Sequence, residues 1–153
     1  MKKVLMILGA VFGVILISIA IAVGYAAYNG KGLDEESKRY VDAAVPAIVK
    51  NWDMTEMLSR TSPEFSKATK TEDLEKLWIM FRKLGAMKIY KGSKGESNQM
   101  INLPQGTTIT AKYSADVEFE NGPAQILITI IKRGDDWQIL GFKVNSSAIL
   151  PDR

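Results

Sequence analysis

Cysteine and histidine are both absent from this chain of 153 residues. Without cysteine there are no disulfides, no thiolate nucleophile and no lipid attachment at a processed cysteine. Without histidine the chain lacks the side chain that titrates nearest neutral pH and most often binds metal. Acid–base chemistry would fall to a carboxylate whose pKa burial had raised, or to a tyrosine. Gly92-Ser93-Lys94-Gly95 lacks the spacing of a phosphate-binding loop. Asp116, Glu118, Asp135 and Asp136 lack that of a calcium loop. The expectation is a protein that is not an enzyme and holds no cofactor or metal.

Charge is missing altogether from one long stretch. Val4 to Tyr28 contains no charged residue and no proline, and its only polar side chains are Ser18, Tyr25 and Tyr28. Crossing a bilayer takes about 20 apolar residues as a helix with every amide bonded internally. Lys2 and Lys3 precede the stretch, while Lys31 is followed by Asp34, Glu35 and Glu36. The positive end stays inside. The stretch therefore predicts a single span in the inner, cytoplasmic membrane, with a cytoplasmic N-terminus and the rest exported to the periplasmic or extracytoplasmic side. The alternative is a cleaved signal, with Ala20-Ile21-Ala22 as a small-x-small site and a secreted product. A signal's apolar region runs about 7–15 residues, and this one is longer. Gly9, Gly13, Ala20 and Gly24 form a small-residue stripe that would let two such helices approach closely.

Removing Lys2 and Lys3 leaves 18 basic against 17 acidic residues, so the overall +3 hides a nearly neutral exported part. Nucleic acid is then excluded as a partner, because phosphate recognition needs a concentrated basic field. The chain divides into a stub and span (1–28), a linker (29–33), one folded domain (34–147) and a tail (148–153).

Within the domain, Asp34 reads as a helix cap, with Val41, Ala44, Val45, Ile48 and Trp52 at helical spacing and Pro46 as a kink. Asp53 opens a short helix, and Ser62-Pro63 a further turn. Thr71 caps a longer helix with an apolar face of Leu74, Leu77, Trp78, Phe81 and Leu84, ended by Gly85. The period then changes to two. Ala86–Lys91 and Gln99–Leu103 read as strands separated by a bend at Gly92–Gly95. Ile109 to Phe119 alternates cleanly, and Asn121-Gly122 reads as the two-residue turn of a hairpin. That turn sets Phe119 opposite Ala124, Val117 opposite Ile126 and Tyr113 opposite Ile130. A second hairpin turns near Gly134-Asp135, and the phase shift at Gly141 suggests a β-bulge.

About three helices on a curved antiparallel sheet of about four strands make an α+β domain. The passages Asn51-Trp52-Asp53 to Ser62-Pro63-Glu64-Phe65, Tyr113 through Gly122, and Trp137 through Phe142 resemble small exported domains of the NTF2-like, cystatin-like fold. A short cytoplasmic end, one span and such a domain also resemble, in architecture, the VirB8-like inner-membrane subunits of type IV secretion systems. The resemblance implies an interior between helices and sheet, lined here by Trp52, Trp78, Phe81, Tyr113, Ile128 and Trp137. A small-molecule ligand would bind there. Enzymes of the fold place an acid–base pair in it, and the nearest equivalent is Asp53 with Tyr40, Tyr90 or Tyr113.

Two surfaces stand out. Arg82, Lys83, Lys88, Lys91 and Lys94 form a basic run. Leu127, Thr129, Ile131 and Leu140 form an apolar patch on the sheet face turned away from the helices, where polar residues are the rule. Together these features predict a membrane-anchored interaction protein, assembling as a homodimer or with a protein partner of the cell envelope.

Overall fold

The structure, a computed structural model, describes residues 18, 20, 21, 32–102 and 106–149. It falls into two units, Met1–Leu33 and Asp34–Arg153. In the first, Ser18, Ala20 and Ile21 are helical and exposed. The rest of Val4–Tyr28, including Gly9, Gly13 and Gly24, lies outside the described residues. Among the described residues no helix is long and apolar enough to cross a membrane.

The second unit is α+β. Helix α1 takes in residues 32–49. It is followed by α2 (Met54–Ser59), α3 (Pro63–Ala68) and α4 (Thr71–Phe81), the last running into a 3-10 turn, Arg82–Leu84. Strands β1 (Met87–Asn102), β2 (Gly106–Phe119), β3 (Gly122–Arg133) and β4 (Asp136–Asn145) then form an antiparallel sheet in sequence order. A 3-10 turn at Ser147–Ile149 follows.

Helix α1 buries Val41, Ala44, Val45, Ile48 and Val49, a stripe at the spacing its sequence predicts. Asp34 is not its cap, because residues 32 and 33 are already helical, and the helix continues through Pro46. At the far end the Asp53 amide donates to the Ile48 carbonyl at 2.8 Å, the long bond of a Schellman cap. The residue that must turn left-handed in such a cap is usually glycine. Here it is Trp52, at φ 52°, the only non-glycine residue with positive φ among those described.

That conformation costs about 1–2 kcal/mol. What holds it is the ring. Trp52 is 2% exposed. Its indole stacks on Phe119 with centroids 5.2 Å apart, lies 5.4 Å from Phe81 and meets Trp78 edge-on at 6.1 Å. Its Nε1 donates to the Gly85 carbonyl at 3.0 Å, and its own carbonyl accepts from Trp78 Nε1 at 2.6 Å. One residue thus joins the end of α1 to α4, to the turn after it and to β2.

Asp53 and Ser62 cap α2 and α3 by accepting from the amides three residues on, and Pro63 occupies the first position of α3. Lys70, not Thr71, precedes α4 and makes no side-chain cap. In α4, Leu74, Trp78 and Phe81 are buried, whereas Leu77 lies on the flank of that stripe and is 41% exposed.

The sheet departs from expectation in two places. Strand β1 is continuous through Gly92–Gly95, and register shifts between Met87 and Ile89 and between Tyr90 and Ser93 take the place of a bend. Gly92, at φ 87°, supplies the irregular backbone. Gly95 pairs with Tyr113, where a Cβ would strike the Lys112 carbonyl and sit 2.8 Å from the Tyr113 Cα. Glycine keeps the strand whole. In the β2–β3 hairpin, Phe119 faces Gly122, Val117 faces Ala124 and Tyr113 faces Ile128, so the loop is Glu120-Asn121. The expected register was off by two residues, which preserves the faces but changes every partner. A type I′ turn would need positive φ at both loop residues, and neither has it. Asn121 instead donates from its amide side chain to the Lys83 carbonyl at 2.7 Å and from its backbone to the Leu84 carbonyl at 3.0 Å. The expected bulge at Gly141 is present: Thr129 faces Gly141 and Ile130 faces Ile139, leaving Leu140 as the extra residue.

Replacing Trp52 by glycine sets the two effects against each other. It relieves the backbone by about 1–2 kcal/mol and removes a buried aromatic worth about 3–5 kcal/mol. The expected result in urea denaturation is a net loss of stability; an unchanged or raised midpoint would contradict the role assigned to the ring.

Candidate functional site

The residues expected to line an interior pocket divide into three sets. Trp52, Trp78 and Phe81 pack against one another, and Trp78 also lies 6.2 Å from Phe142. Both Nε1 atoms of that cluster bond to backbone carbonyls, so its polar groups are satisfied from within. Tyr113 and Ile128 form a cross-strand pair six residues along β2 from Phe119, with Tyr113 Oη against the start of α1. Trp137 pairs with Lys132 instead, whose Nζ sits 5.6 Å from the indole centroid and 2.7 Å from Glu36. At the same end Arg60 holds Glu56 and lies 5.9 Å over the Tyr40 ring. Burial pushes the Tyr40 phenol above its ordinary pKa.

Asp53 is exposed, and its carboxylate accepts from the Glu56 amide at 3.0 Å as a helix cap. No tyrosine bonds to it among the described residues. The acid–tyrosine pair expected there is not assembled, because capping holds the carboxylate at the surface.

A different set of carboxylates meets tyrosines and serines where α1 crosses β1. Asp42 accepts from Tyr90 Oη at 2.7 Å, Ser93 Oγ at 2.7 Å, the Ser93 amide at 3.0 Å and Lys38 Nζ at 2.5 Å. Asp34 accepts from the Ser97 amide at 2.7 Å and from Ser97 Oγ. Tyr113 Oη lies 2.7 Å from Ser37 Oγ and donates to the Asp34 carbonyl at 3.0 Å. Eight helical residues rise about 12 Å and four strand residues about 13 Å. Asp34 and Asp42 therefore match Ser97 and Ser93 in antiparallel order. Because β1 is an edge strand, its outward amides would otherwise be open to pairing; the two carboxylates occupy two of them. At the other edge the Ile139 amide donates to the Arg60 carbonyl at 2.7 Å, and the Ser62 amide to the Ile139 carbonyl at 2.8 Å.

Electrostatics follow from this geometry. Burial raises the Asp42 pKa, but the donors from Lys38, Ser93 and Tyr90 outweigh it and hold the carboxyl below its ordinary value. Burial, and then the Asp42 carboxylate it bonds, push the Tyr90 phenol well above its ordinary range. Both shifts describe a charged carboxylate locked to the Lys38 ammonium and to neutral hydroxyl and amide donors, which is a structural joint rather than a poised base.

The outer face of the sheet differs in kind. Across the strands run Lys94, Ser114, Leu127 and Lys143 in one row, with Glu96, Lys112, Thr129 and Gly141 in the next. Leu127, Thr129 and Leu140 are half-buried and Ile131 is 5% exposed, so only part of the expected apolar patch is open. Leu127 faces Ser114 and Ile131 faces Thr110, in place of the Asp116 and Lys112 that the expected register gave them. A groove of about 410 Å³ opens between Lys94, Lys112, Ser114, Leu127 and Thr129. Another, of about 350 Å³, lies between Asp116, Glu118, Gln125 and Asn145. The basic run of the sequence does not stay together: Lys91 is bound to Glu118 at 3.0 Å, while Lys94 joins Lys112 and Lys143 from other strands.

Compared with known proteins, the chain matches no family model, no curated protein and no solved structure.

The α1–β1 joint has a pH signature. A carboxyl held below its unfolded pKa of about 3.9 adds stability above that value and loses it as pH falls through the folded value. Asp42→Asn is expected to cost about 1–2 kcal/mol at neutral pH and to flatten the acid limb of a plot of urea midpoint against pH. A variant that keeps the wild-type acid limb would show that other carboxylates set it.

Proposed function

We propose that this chain is a membrane-anchored assembly protein without enzymatic activity, whose exported domain has the NTF2-like fold and meets its partner through the outer face of its sheet. Four helices with a four-stranded antiparallel meander are compatible with that fold. The observation that carries the functional reading is the one-sided construction. The aromatic cluster and α1 occupy one sheet face. On the other, Leu127 and Thr129 lie half-buried among exposed Lys94, Lys112, Asp116 and Lys143. An apolar centre with a charged rim is the usual anatomy of a contact surface. The homodimer and the cell-envelope complex are two forms of this reading. Membrane anchorage rests on the charge-free stretch Val4–Tyr28, and the inside-out direction on the lysines before it.

Two measurements test the proposal. The full chain in mild detergent should have the mass of a dimer or larger assembly in light scattering, and a strict monomer that retains no envelope protein would overturn it. A phosphatase reporter fused after Arg153 should be active only outside the cytoplasm; an inactive fusion in intact, expressing cells would overturn the exported topology.

A further inference from the structure

The outward residues of β2 read Thr110, Lys112, Ser114, Asp116, Glu118. About Ser114 the sequence is antisymmetric in charge: Lys112 one step to one side, Asp116 one step to the other. Both are exposed. Among the described residues neither takes part in an ion pair, although Glu96 faces Lys112 across the strands. Glu118, one step further, is already neutralised by Lys91 at 3.0 Å. The free charges on this strand are thus one of each sign, equally spaced from Ser114.

The groove of about 410 Å³ takes in the Ser114–Leu127 row together with Lys112 and Thr129, and that of about 350 Å³ lies further along the strands, around Asp116, Glu118 and Gln125. A two-fold axis along that row, between two facing sheets, would place each Lys112 over the Asp116 of the other copy. It would also set the two Leu127 side chains against each other. This is the self-complementarity that an isologous contact requires. Facing sheets stand about 10 Å apart, a gap that a lysine and an aspartate bridge together.

We propose that the occupant of the outer sheet face is a second copy of this chain, related by a two-fold axis through the Ser114–Leu127 row, with two reciprocal Lys112–Asp116 ion pairs. This rests on the assembly reading above and gives it a partner and a register. Lys94 and Lys143, at the ends of the same row, approach their own copies across the axis. They stand on the outermost strands, where long side chains reach solvent.

Charge exchange tests the register directly. Lys112→Glu sets acid against acid at both contacts, and Asp116→Lys sets base against base. Each variant of the full chain in mild detergent should associate at least tenfold more weakly than wild type in sedimentation. An equimolar mixture of the two restores opposite charges at both contacts of the hetero-pair, and should recover the dimer in that form. Both positions are exposed, so unchanged circular dichroism is expected and marks the loss as one of contact. Variants that dimerise at wild-type affinity, or a mixture that stays monomeric, would overturn the register while a dimeric wild type keeps the assembly reading. A monomeric wild type would end the two-fold contact, and would end the assembly reading with it only if the chain also retains no envelope protein.

Discussion

The α+β unit depends on a tryptophan in a place where chains normally put glycine. Trp52 must turn left-handed to end α1, and only its surroundings make that conformation stable: Phe119 beneath the ring, Phe81 and Trp78 beside it, and a carbonyl on its nitrogen. The same residue receives the Trp78 indole hydrogen bond on its backbone. Strain of about 1–2 kcal/mol is outweighed by burial of a large aromatic. The consequence is geometric. Helices α1 and α4 are fastened to one face of the sheet, and that face is occupied by packed rings.

A second fastening works at the sheet's edge. The carboxylates of Asp34 and Asp42 take the amides and hydroxyls of Ser97 and Ser93, so α1 both covers the core and blunts β1. The segment around Thr61 does the same for part of β4. With helices on its inner face and both edges engaged, the sheet has its outer face left clear of helices. Antiparallel sheets commonly leave one face to water. Here that face is neither uniformly polar nor of one charge.

Much of this could be read in the sequence, and what could not has a physical reason. The alternation from Ile109 to Phe119 and the stripe of Leu74, Trp78 and Phe81 each report burial directly, so strand and helix were legible. The hairpin register was not, because Asn121 bonds the Lys83 carbonyl and so does not follow the local preference of an Asn-Gly turn. Strand β1 looked broken because its glycines resemble a bend; Gly95 is there for the close approach of Lys112 and Tyr113. The α1–β1 joint was hidden for another reason. Aspartates eight apart in a helix and serines four apart in a strand carry no signal until the two elements align. Asp53 reads as the acid near the tyrosines, whereas the carboxylate that bonds one of them, Tyr90, is that of Asp42.

What the domain does with its free face is the central question. The absence of cysteine from the chain makes it open to a single-site probe. A nitroxide on Ser114→Cys, in the full chain in mild detergent, sits on the proposed two-fold axis with facing sheets about 10 Å apart. Strong dipolar broadening that disappears on dilution with unlabelled protein is the expected result. An associated protein whose label shows no broadening would contradict contact through this face.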